Sequence, residues 1–321
     1  MKKLIFRDKR LTTALLWRAL IWHFTFFLKR NPLPLAGGLL VTTRCNFKCS
    51  FCNYWRKPEN KTLPQEKAFR LVKDLSGMGC FYFSVTGGEP LLVDYLFELL
   101  EYARGSRLRY MHLVTNGYLL DKARALGLKK AGLNEVSISI DGRPEYHDAK
   151  RMCQGAYKKA VEAVNNLKTY SPKTGVVLNT ILDPGSPEEC LHVLELTRNL
   201  NVYVKIQPLN QHHVFDKDNH AVFAKPNIDA KKLKETLQKL SKAERVINSK
   251  VFLDNIYNFF CRKERLIFKE RDCLFGFHNI EFMEDGSVFP CSEGLEWKKL
   301  FVYDRDLKSL LHSNKHKKCI R

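Results

Sequence analysis

Three cysteines lie close together in the segment CNFKCSFC, at positions 45, 49 and 52 of the chain. At this spacing the thiolates of Cys45, Cys49 and Cys52 can reach one metal centre. A structural zinc ion takes four ligands and usually draws them from paired CxxC motifs, whereas this segment supplies three. A cubane iron–sulfur cluster held by three thiolates leaves one iron free to bind another molecule. The segment therefore predicts an open metal centre at which chemistry takes place.

The elements that must position these cysteines alternate regularly from residue 37 onward. Six runs rich in β-branched or aromatic residues read as strands: LLVTT at 39–43, FYFSVT at 81–86, MHLVT at 111–115, VSISI at 136–140, VVLNTI at 176–181 and VYVKIQ at 202–207. Helical patterns lie between them, near 65–79, 94–104, 121–131, 156–169 and 187–199. Such alternation favours an α/β fold with a parallel sheet covered by helices. The residues alone leave a partial barrel and a doubly wound sheet as alternatives.

Polar or glycine-rich segments follow the first four strands. CNFKCSFC comes after the first, Gly87-Gly88-Glu89-Pro90 after the second, Asn116-Gly117 after the third and Asp141-Gly142 after the fourth. The carboxyl ends of parallel strands meet at one edge of a sheet, and functional loops gather there. We therefore expect these four segments to converge on one site.

Composition limits the protein class. The chain has 321 residues, ten cysteines and a formal net charge of +20. A disulfide-rich secreted protein would be shorter and would carry a cleavable signal, so the cysteine usage indicates reduced thiols in the cytoplasm. The charge is compatible with nucleic acid, an anionic membrane or acidic small molecules. Because the basic residues are dispersed, we expect a solvated surface rather than a nucleic-acid-binding stripe.

The segment at 11–28 combines apolar and aromatic residues with basic flanks. Arg18 and His23 interrupt it and no small-residue cleavage site follows, which argues against a signal peptide or a membrane span. An amphipathic helix lying in a membrane surface fits better, and a helix packed on its own domain or lining a substrate channel is the alternative. Its predicted apolar side consists of Trp17, Leu20, Ile21, Phe24, Phe27 and Leu28.

Three regions follow from these patterns. Residues 1–36 form a basic, aromatic helical segment, 37–210 the βα core, and 211–321 a C-terminal region. Within the last region, 211–228 is predicted to be a loop, 229–246 a charged helix, and 250–321 a cysteine-bearing segment with weak periodicity.

The core resembles the radical S-adenosylmethionine (radical SAM) enzymes. CNFKCSFC is similar to the CxxxCxxC signature of that family, with the aromatic Phe51 directly before the third cysteine. TGGEPLL at 86–92 resembles the family's GGE motif, and VSISIDGRPEYHDAKRMCQGAY at 136–157 resembles a segment of the branch with molybdopterin-precursor synthases and peptide-modifying maturases. The resemblance covers residues 37–210 and implies a partial (βα)6 TIM-like barrel.

The resemblance also implies roles for individual residues. Cys45, Cys49 and Cys52 would hold a [4Fe–4S] cluster whose free iron binds S-adenosylmethionine. Gly87, Gly88 and Glu89 would face the methionine amino group, where glycine permits close approach and a carboxylate complements an ammonium. Further cofactor contacts are expected from Phe51 near the adenine, from Ser139 and Asp141 at the ribose or carboxylate, and from Arg151 at the carboxylate. Thr115, Asn179 and Gln207 are expected beside cofactor or substrate, with ordinary strand-end hydrogen bonding as the alternative.

A second resemblance concerns the C-terminal cysteines. The arrangement of Cys273, Gly286 and Cys291 resembles the start of a SPASM or twitch auxiliary-cluster domain, with β-hairpin chemistry at Asp285-Gly286. It implies one auxiliary [4Fe–4S] cluster held by Cys261, Cys273, Cys291 and Cys319. Buried free thiols and a four-cysteine zinc site are the alternatives. Three cysteines without motif context are predicted to be core thiols: Cys80, Cys153 and Cys190.

The implied activity begins with one electron from a donor such as flavodoxin or ferredoxin. Reductive cleavage of S-adenosylmethionine then gives a 5′-deoxyadenosyl radical, which takes a hydrogen atom from a substrate. The sequence leaves that substrate undetermined, with a peptide side chain and a membrane-associated lipid or small molecule as candidates. An RNA-modifying enzyme and a non-catalytic iron–sulfur scaffold are the alternatives.

Overall fold

The computed structural model describes residues 9–28, 33–52, 54–56, 59–209, 228–262, 278–289, 301–303 and 307–311. The predicted loop at 211–228 lies outside these residues except for its last position. Cys273, Cys291 and Cys319 also lie outside them.

All six predicted strands are present and pair in parallel. They are β1 (Ala36–Leu40), β2 (Tyr82–Thr86), β3 (Tyr110–Thr115), β4 (Glu135–Ser139), β5 (Gly175–Leu182) and β6 (Tyr203–Pro208). They lie side by side in chain order, β1 next to β2 and so on to β6. β1 begins three residues earlier than predicted, at Ala36, and its next two residues are glycines. An added Cβ at Gly37 would lie 2.7 Å from the Leu75 side chain, and one at Gly38 would collide with the Glu281 carboxylate.

Helices follow the strands as expected. They are α1 (Lys9–Phe27), α2 (Gln65–Gly77), α3 (Leu96–Gly105), α4 (Lys122–Lys130), α5 (Pro144–Arg151), α6 (Ala156–Tyr170), α7 (Glu189–Leu200), α8 (Ala230–Lys242), α9 (Lys250–Arg262) and α10 (Leu307–Leu311). Short 3-10 turns cover Tyr54–Arg56 and Pro90–Leu92. One continuous apolar core joins helix residues such as Leu71 and Val164 to strand residues such as Val85 and Ile138. Burial of this surface is the main term that stabilises the fold.

The other face of the strands is polar. The Tyr82 hydroxyl and the Ser84 hydroxyl lie 2.7 and 2.9 Å from Nδ1 of His112. Nε2 of the same imidazole lies 2.8 Å from the Ser137 hydroxyl, and Tyr110 donates to the Glu135 carboxylate at 2.7 Å. A doubly wound sheet would have apolar strands on both faces. The fold is instead a partial barrel with helices outside and a hydrogen-bonded interior.

The C-terminal region extends the same sheet beyond β1. β7 (Asn279–Phe282) pairs in parallel with β1, and β8 (Ser287–Phe289) and β9 (Phe301–Val302) add antiparallel strands, so the order is β6-β5-β4-β3-β2-β1-β7-β8-β9. The predicted turn at Asp285-Gly286 joins β7 to β8, with Gly286 at a φ of +82°. The hairpin prediction is therefore confirmed.

Helix α1 lies at the amino ends of the strands, opposite the predicted site. Its Leu11, Ala14 and Leu15 pack against Phe81 and Tyr110. Trp22 is 2% exposed, and its ring centroid lies 3.9 Å from that of His278. This face of the helix therefore holds it to the domain.

The opposite side of α1 faces outward. Trp17 and Phe24 are each 63% exposed and Phe27 is 82% exposed, with Leu20, Ile21 and Leu28 exposed beside them. The predicted apolar side is thus left uncovered by the described part of the chain. No helix in that part combines the length and apolarity needed to cross a membrane.

Candidate active site

Residues 45–52, called the cysteine loop below, follow β1 and bring the three predicted cysteines together. Cys45, Cys49 and Cys52 pack in one small cluster with Phe47 and Phe51. None of them is in a disulfide. The Phe47 amide donates to Sγ of Cys45 at 3.4 Å, and the Cys52 amide donates to the Cys49 carbonyl at 3.2 Å. The backbone therefore folds tightly around the thiols and already directs one donor at a sulfur.

Burial makes these thiols unusual. Loss of solvent raises the pKa of Cys45 to about 12, and burial likewise raises the pKa values of Cys49 and Cys52. A buried thiolate needs a cationic partner, and a metal centre supplies it. Among the described residues no three ligands lie at the spacing of a single metal ion. A cubane takes each thiolate on a different iron, and three cysteines gathered on one loop are the kind of donor set that such a cluster uses.

Residues 87–90, called the glycine loop below, lie directly against the residues that lead into the cysteine loop. The Gly88 amide donates to the Thr42 carbonyl at 2.7 Å, and the Glu89 amide donates to the Arg44 carbonyl at 2.8 Å. An added Cβ at Gly88 would lie 2.2 Å from the Arg44 carbonyl oxygen, and one at Gly87 would lie 2.5 Å from that of Thr42. Gly87 also has a φ of +142°. Both glycines are required where the two loops meet.

Glu89 is fully buried and its carboxylate is held by protein donors. Oε1 accepts hydrogen bonds from the Thr115 hydroxyl at 2.7 Å and the Leu91 amide at 3.0 Å, and Oε2 accepts one from the Asn116 amide at 2.8 Å. Burial raises the pKa of this carboxyl, and the three donors reduce that effect only in part. Glu89 therefore ties the ends of β2 and β3 together. Its contact with a cofactor ammonium stays a prediction.

Arg151, at the end of α5, joins the fourth strand to the cysteine loop. Its Nε and Nη2 donate to the two oxygens of Asp141 at 2.7 and 3.1 Å. Its Nη1 lies 4.0 Å from Sγ of Cys49, and its Cζ lies 4.9 Å from the centre of the Phe51 ring. The helix end also accepts from the loop, because the Ser50 amide donates to the Lys150 carbonyl at 2.9 Å.

Asp141 is buried together with its partner. Burial alone would raise the pKa of this carboxyl, but the charge and hydrogen bonds of Arg151 outweigh it and the pKa is lowered. The same ion pair raises the pKa of Arg151 further, so the guanidinium stays charged. The sequence predicted that Arg151 and Asp141 belong to the site but not that they bind each other.

The remaining predicted residues lie along the strand ends. Ser139 and Asn179 are register partners on β4 and β5, and Asn179 donates to the Gln207 side chain at 3.0 Å. Thr115 is used by Glu89, as described above. The fold thus places Ser139, Asn179 and Gln207 on neighbouring strands, and their contact with cofactor or substrate stays a prediction.

His147 is a site residue that the sequence reasoning missed. Its Nδ1 accepts from the Asp141 amide at 3.1 Å, and the imidazole is fully buried. Burial lowers its pKa to about 4, which outweighs the nearby Asp141 charge. His147 and Arg151 are four residues apart, so they share a face of α5. This four-residue spacing is the sequence signal by which His147 could have been predicted as a site residue.

The other cysteines divide into two groups. Cys80 and Cys190 are buried core thiols as predicted. The core prediction was wrong for Cys153, which is half-buried beside the cysteine loop because α5 ends just before it. Cys261 is half-buried on α9. Its three predicted partners in an auxiliary cluster lie outside the described residues.

Comparison with known proteins places this site in a family. Residues 39–197 match the model of the Radical SAM superfamily. The chain is 36% identical over 139 residues to the Fe-coproporphyrin III synthase of Methanosarcina barkeri, covering 42% of this chain and 34% of that protein. It is 30% identical over 231 residues to a GTP 3′,8-cyclase of Mycolicibacterium smegmatis, covering 65% of this chain and 62% of that protein. The chain thus spans less than two thirds of either relative.

Solved structures agree on the fold. Streptococcus suis SuiB bound to S-adenosylmethionine gives a TM-score of 0.68 at 15% identity, over 88% of this chain and 66% of SuiB. Native anSMEcpe with bound AdoMet gives a TM-score of 0.68 at 21% identity, over 89% of this chain and 82% of that one. At such identities the likeness shows the fold alone. Together with the family model and the cysteine loop after β1, it leads to one conclusion: residues 39–197 of this chain are a radical SAM superfamily domain.

Proposed function

We propose that this chain is a radical SAM enzyme that takes a hydrogen atom from a substrate still to be identified. The observation that carries the proposal is the cysteine loop itself. It presents three free thiols, one buried and two half-buried, and the residues that lead into it are tied by main-chain hydrogen bonds to the glycine loop. The family uses a [4Fe–4S] cluster and S-adenosylmethionine, which when bound supply a radical able to break an unactivated C–H bond.

The chain's own residues would have these roles. Cys45, Cys49 and Cys52 would hold the cluster as thiolates. The glycine loop would leave backbone groups free for close approach of the methionine part, because glycines carry no Cβ. The aromatic face of Phe51 and the polar ends of β4 and β5 would enclose the rest of the cofactor and exclude water.

The test is to detect S-adenosylmethionine cleavage by the reconstituted full chain. Iron and sulfide are added anaerobically, the protein is reduced, and 5′-deoxyadenosine is measured with and without S-adenosylmethionine. We expect the product from the wild type and none from a Cys45→Ala/Cys49→Ala/Cys52→Ala variant. A protein that holds its iron but forms no 5′-deoxyadenosine would contradict the enzyme proposal and favour the scaffold alternative.

The same variant examines the auxiliary cluster. We propose one closed [4Fe–4S] cluster held by Cys261, Cys273, Cys291 and Cys319. The triple variant should then retain about four iron atoms per chain, the content of one such cluster. Retention of zinc instead, or of no metal, would contradict it.

We also propose that α1 rests on an anionic membrane surface. Its outward side carries Trp17, Phe24 and Phe27, all more than half exposed. Residues 1–30 contain eight Lys and Arg residues and one acidic residue, Asp8. Exposed aromatic side chains within a basic segment are typical of helices that lie in the interface of anionic bilayers. A substrate that is itself membrane-associated would fit this placement.

Vesicle sedimentation tests the membrane proposal. Vesicles of phosphatidylcholine with phosphatidylglycerol should bind the wild type, and a Trp17→Ser/Phe24→Ser/Phe27→Ser variant should lose at least tenfold in affinity. Leu126→Ser/Val251→Ser is the matched control, because both residues are exposed and apolar but lie on other helices. Equal binding by all three proteins would contradict the proposal. Salt-sensitive RNA binding without vesicle binding would instead favour the RNA-modifying alternative.

A further inference from the structure

Arg151 occupies a position that cofactor binding alone does not explain. The side chain is 7% exposed, and two of its three nitrogens are used by Asp141. The third, Nη1, is directed at Sγ of Cys49 from 4.0 Å. That distance is at the outer limit of a hydrogen bond to sulfur but well within the range over which a buried charge acts.

The guanidinium is fixed in place. Asp141 holds it by two hydrogen bonds, and its Cζ lies over the Phe51 ring, 4.9 Å from the ring centre. Asp141 is fixed in turn, because the Ile181 amide on β5 donates to its Oδ1 at 3.0 Å. A charge that cannot turn away keeps its full effect on the nearest thiol.

Both charges of this pair lie close to Cys49. Nη1 of Arg151 is 4.0 Å from its Sγ, and the Asp141 carboxylate is bonded to the other two nitrogens of the same guanidinium. Positive charge and hydrogen bonds at cluster sulfurs favour the reduced state of an iron–sulfur cluster, and negative charge disfavours it.

We propose that Arg151 is a positioning residue that raises the reduction potential of the cluster held by the cysteine loop, and that Asp141 fixes this charge and partly offsets it. The inference rests on the proposed function, since it requires a cluster on Cys45, Cys49 and Cys52. Reduction here means that one electron passes from an external one-electron donor, which is oxidised, to the cluster. No atom or proton is transferred in that step.

Because Arg151 and Asp141 carry opposite charges, replacing each of them should shift the reduction potential of the cluster in opposite directions. Full-length wild type, Arg151→Met and Asp141→Asn are reconstituted anaerobically, and each is titrated electrochemically while the reduced cluster is followed by electron paramagnetic resonance. The relevant signal is the one absent from the Cys45→Ala/Cys49→Ala/Cys52→Ala variant. Arg151→Met should lower the reduced-to-oxidised ratio at a fixed potential about tenfold, which is 59 mV for one electron. Asp141→Asn should raise that ratio.

Opposite shifts separate this role from a structural one, because loosening of the loop would move both variants in the same direction. Arg143→Gln is the matched control. It removes one positive charge at the start of the same helix, where Arg143 pairs with Glu189 rather than with the cysteine loop. Its potential should equal that of the wild type.

If Arg151→Met does not retain its cluster, the test depends on the near-isosteric Asp141→Asn variant. A reduction potential in that variant equal to or lower than that of the wild type overturns the proposal. Arg151→Lys keeps the positive charge but loses the two-pronged guanidinium. Its cluster should therefore have a reduction potential between those of the wild type and Arg151→Met. Failure of the proposed function would appear differently, as a wild type in which the triple cysteine variant removes neither iron nor signal.

Discussion

The hydroxyl of Thr115, at the end of β3, donates a 2.7 Å hydrogen bond to the carboxylate of Glu89, in the loop after β2. Glu89 therefore holds the ends of β2 and β3 together, independently of any contact with a cofactor. The glycine loop that carries it bonds through its main chain to the residues that lead into the cysteine loop. The stability of the fold and the geometry of the site therefore depend on the same hydrogen bonds.

Replacing Glu89 tests this coupling. Glu89→Gln turns one buried acceptor into a donor that faces other donors, so the free energy of unfolding should fall by about 1–3 kcal/mol. Urea denaturation of the apoprotein measures it. Glu66→Gln, an exposed carboxylate on α2, is the control and should be close to neutral. Equal stability of Glu89→Gln and wild type would show that the three hydrogen bonds contribute little.

The two loops should not tolerate a side chain between them. Gly88→Ala places a Cβ against the Arg44 carbonyl oxygen, so the backbone must move and the free energy of unfolding should fall by about 1–3 kcal/mol. The displaced cysteine loop should also bind less iron on reconstitution. Gly105→Ala is the control, since an added Cβ there meets no atom within 4 Å. Iron content equal to that of wild type in Gly88→Ala would contradict the expectation.

Two buried histidines predict the pH dependence of the apoprotein. Burial lowers the pKa of His112 and of His147 to about 4, despite the nearby Glu135 and Asp141 carboxylates. As the pH falls below about 6.5, the unfolded chain binds a proton at each imidazole and the folded chain does not until about pH 4. The free energy of unfolding should therefore fall with decreasing pH by about 1.4 kcal/mol per unit for each histidine.

Denaturation between pH 6 and 4.5 checks this slope. His112→Gln should reduce it by about 1.4 kcal/mol per pH unit, since this imidazole no longer titrates. A slope that does not change in His112→Gln would rule out this histidine as a source of acid lability.

Two aromatic residues near each other on α1, Trp22 and Phe24, should contribute very differently to the free energy of unfolding. Trp22 is 2% exposed and packs on the domain, whereas Phe24 is 63% exposed. Trp22→Ala should lower the free energy of unfolding by about 3–5 kcal/mol, and Phe24→Ala by less than about 0.5 kcal/mol. Chemical denaturation measures both. A large loss for Phe24→Ala would show that something covers the outward side of α1.

The sequence determined the elements of the core and their functional edge. Alternation of short apolar runs with amphipathic segments predicted β2 to β6 almost to the residue, because each pattern depends on local periodicity. The cysteine and glycine loops follow strands in the sequence, so their convergence needed only the rule that parallel strands end together. Gly286 likewise marked its hairpin by its own backbone freedom.

Only the tertiary structure decided which polar groups bind each other. The pairing of Arg151 with Asp141, and its approach to Cys49, joins residues ten and about a hundred positions apart. The parallel pairing of β7 with β1 spans still more chain. Sequence periodicity carries no information on such distant pairings, because they depend on how strands stack and not on the local backbone.

The tertiary structure also decided which side chains are buried and by what they are surrounded. The sequence made Glu89 a cofactor contact, and the fold surrounds its carboxylate with three protein donors. It also left α1 as either a packed or a surface helix, and the fold buries Trp22 while it exposes Trp17. An aromatic residue has the same preference for leaving water at either position, and only the neighbouring strands fix which side of the helix is covered.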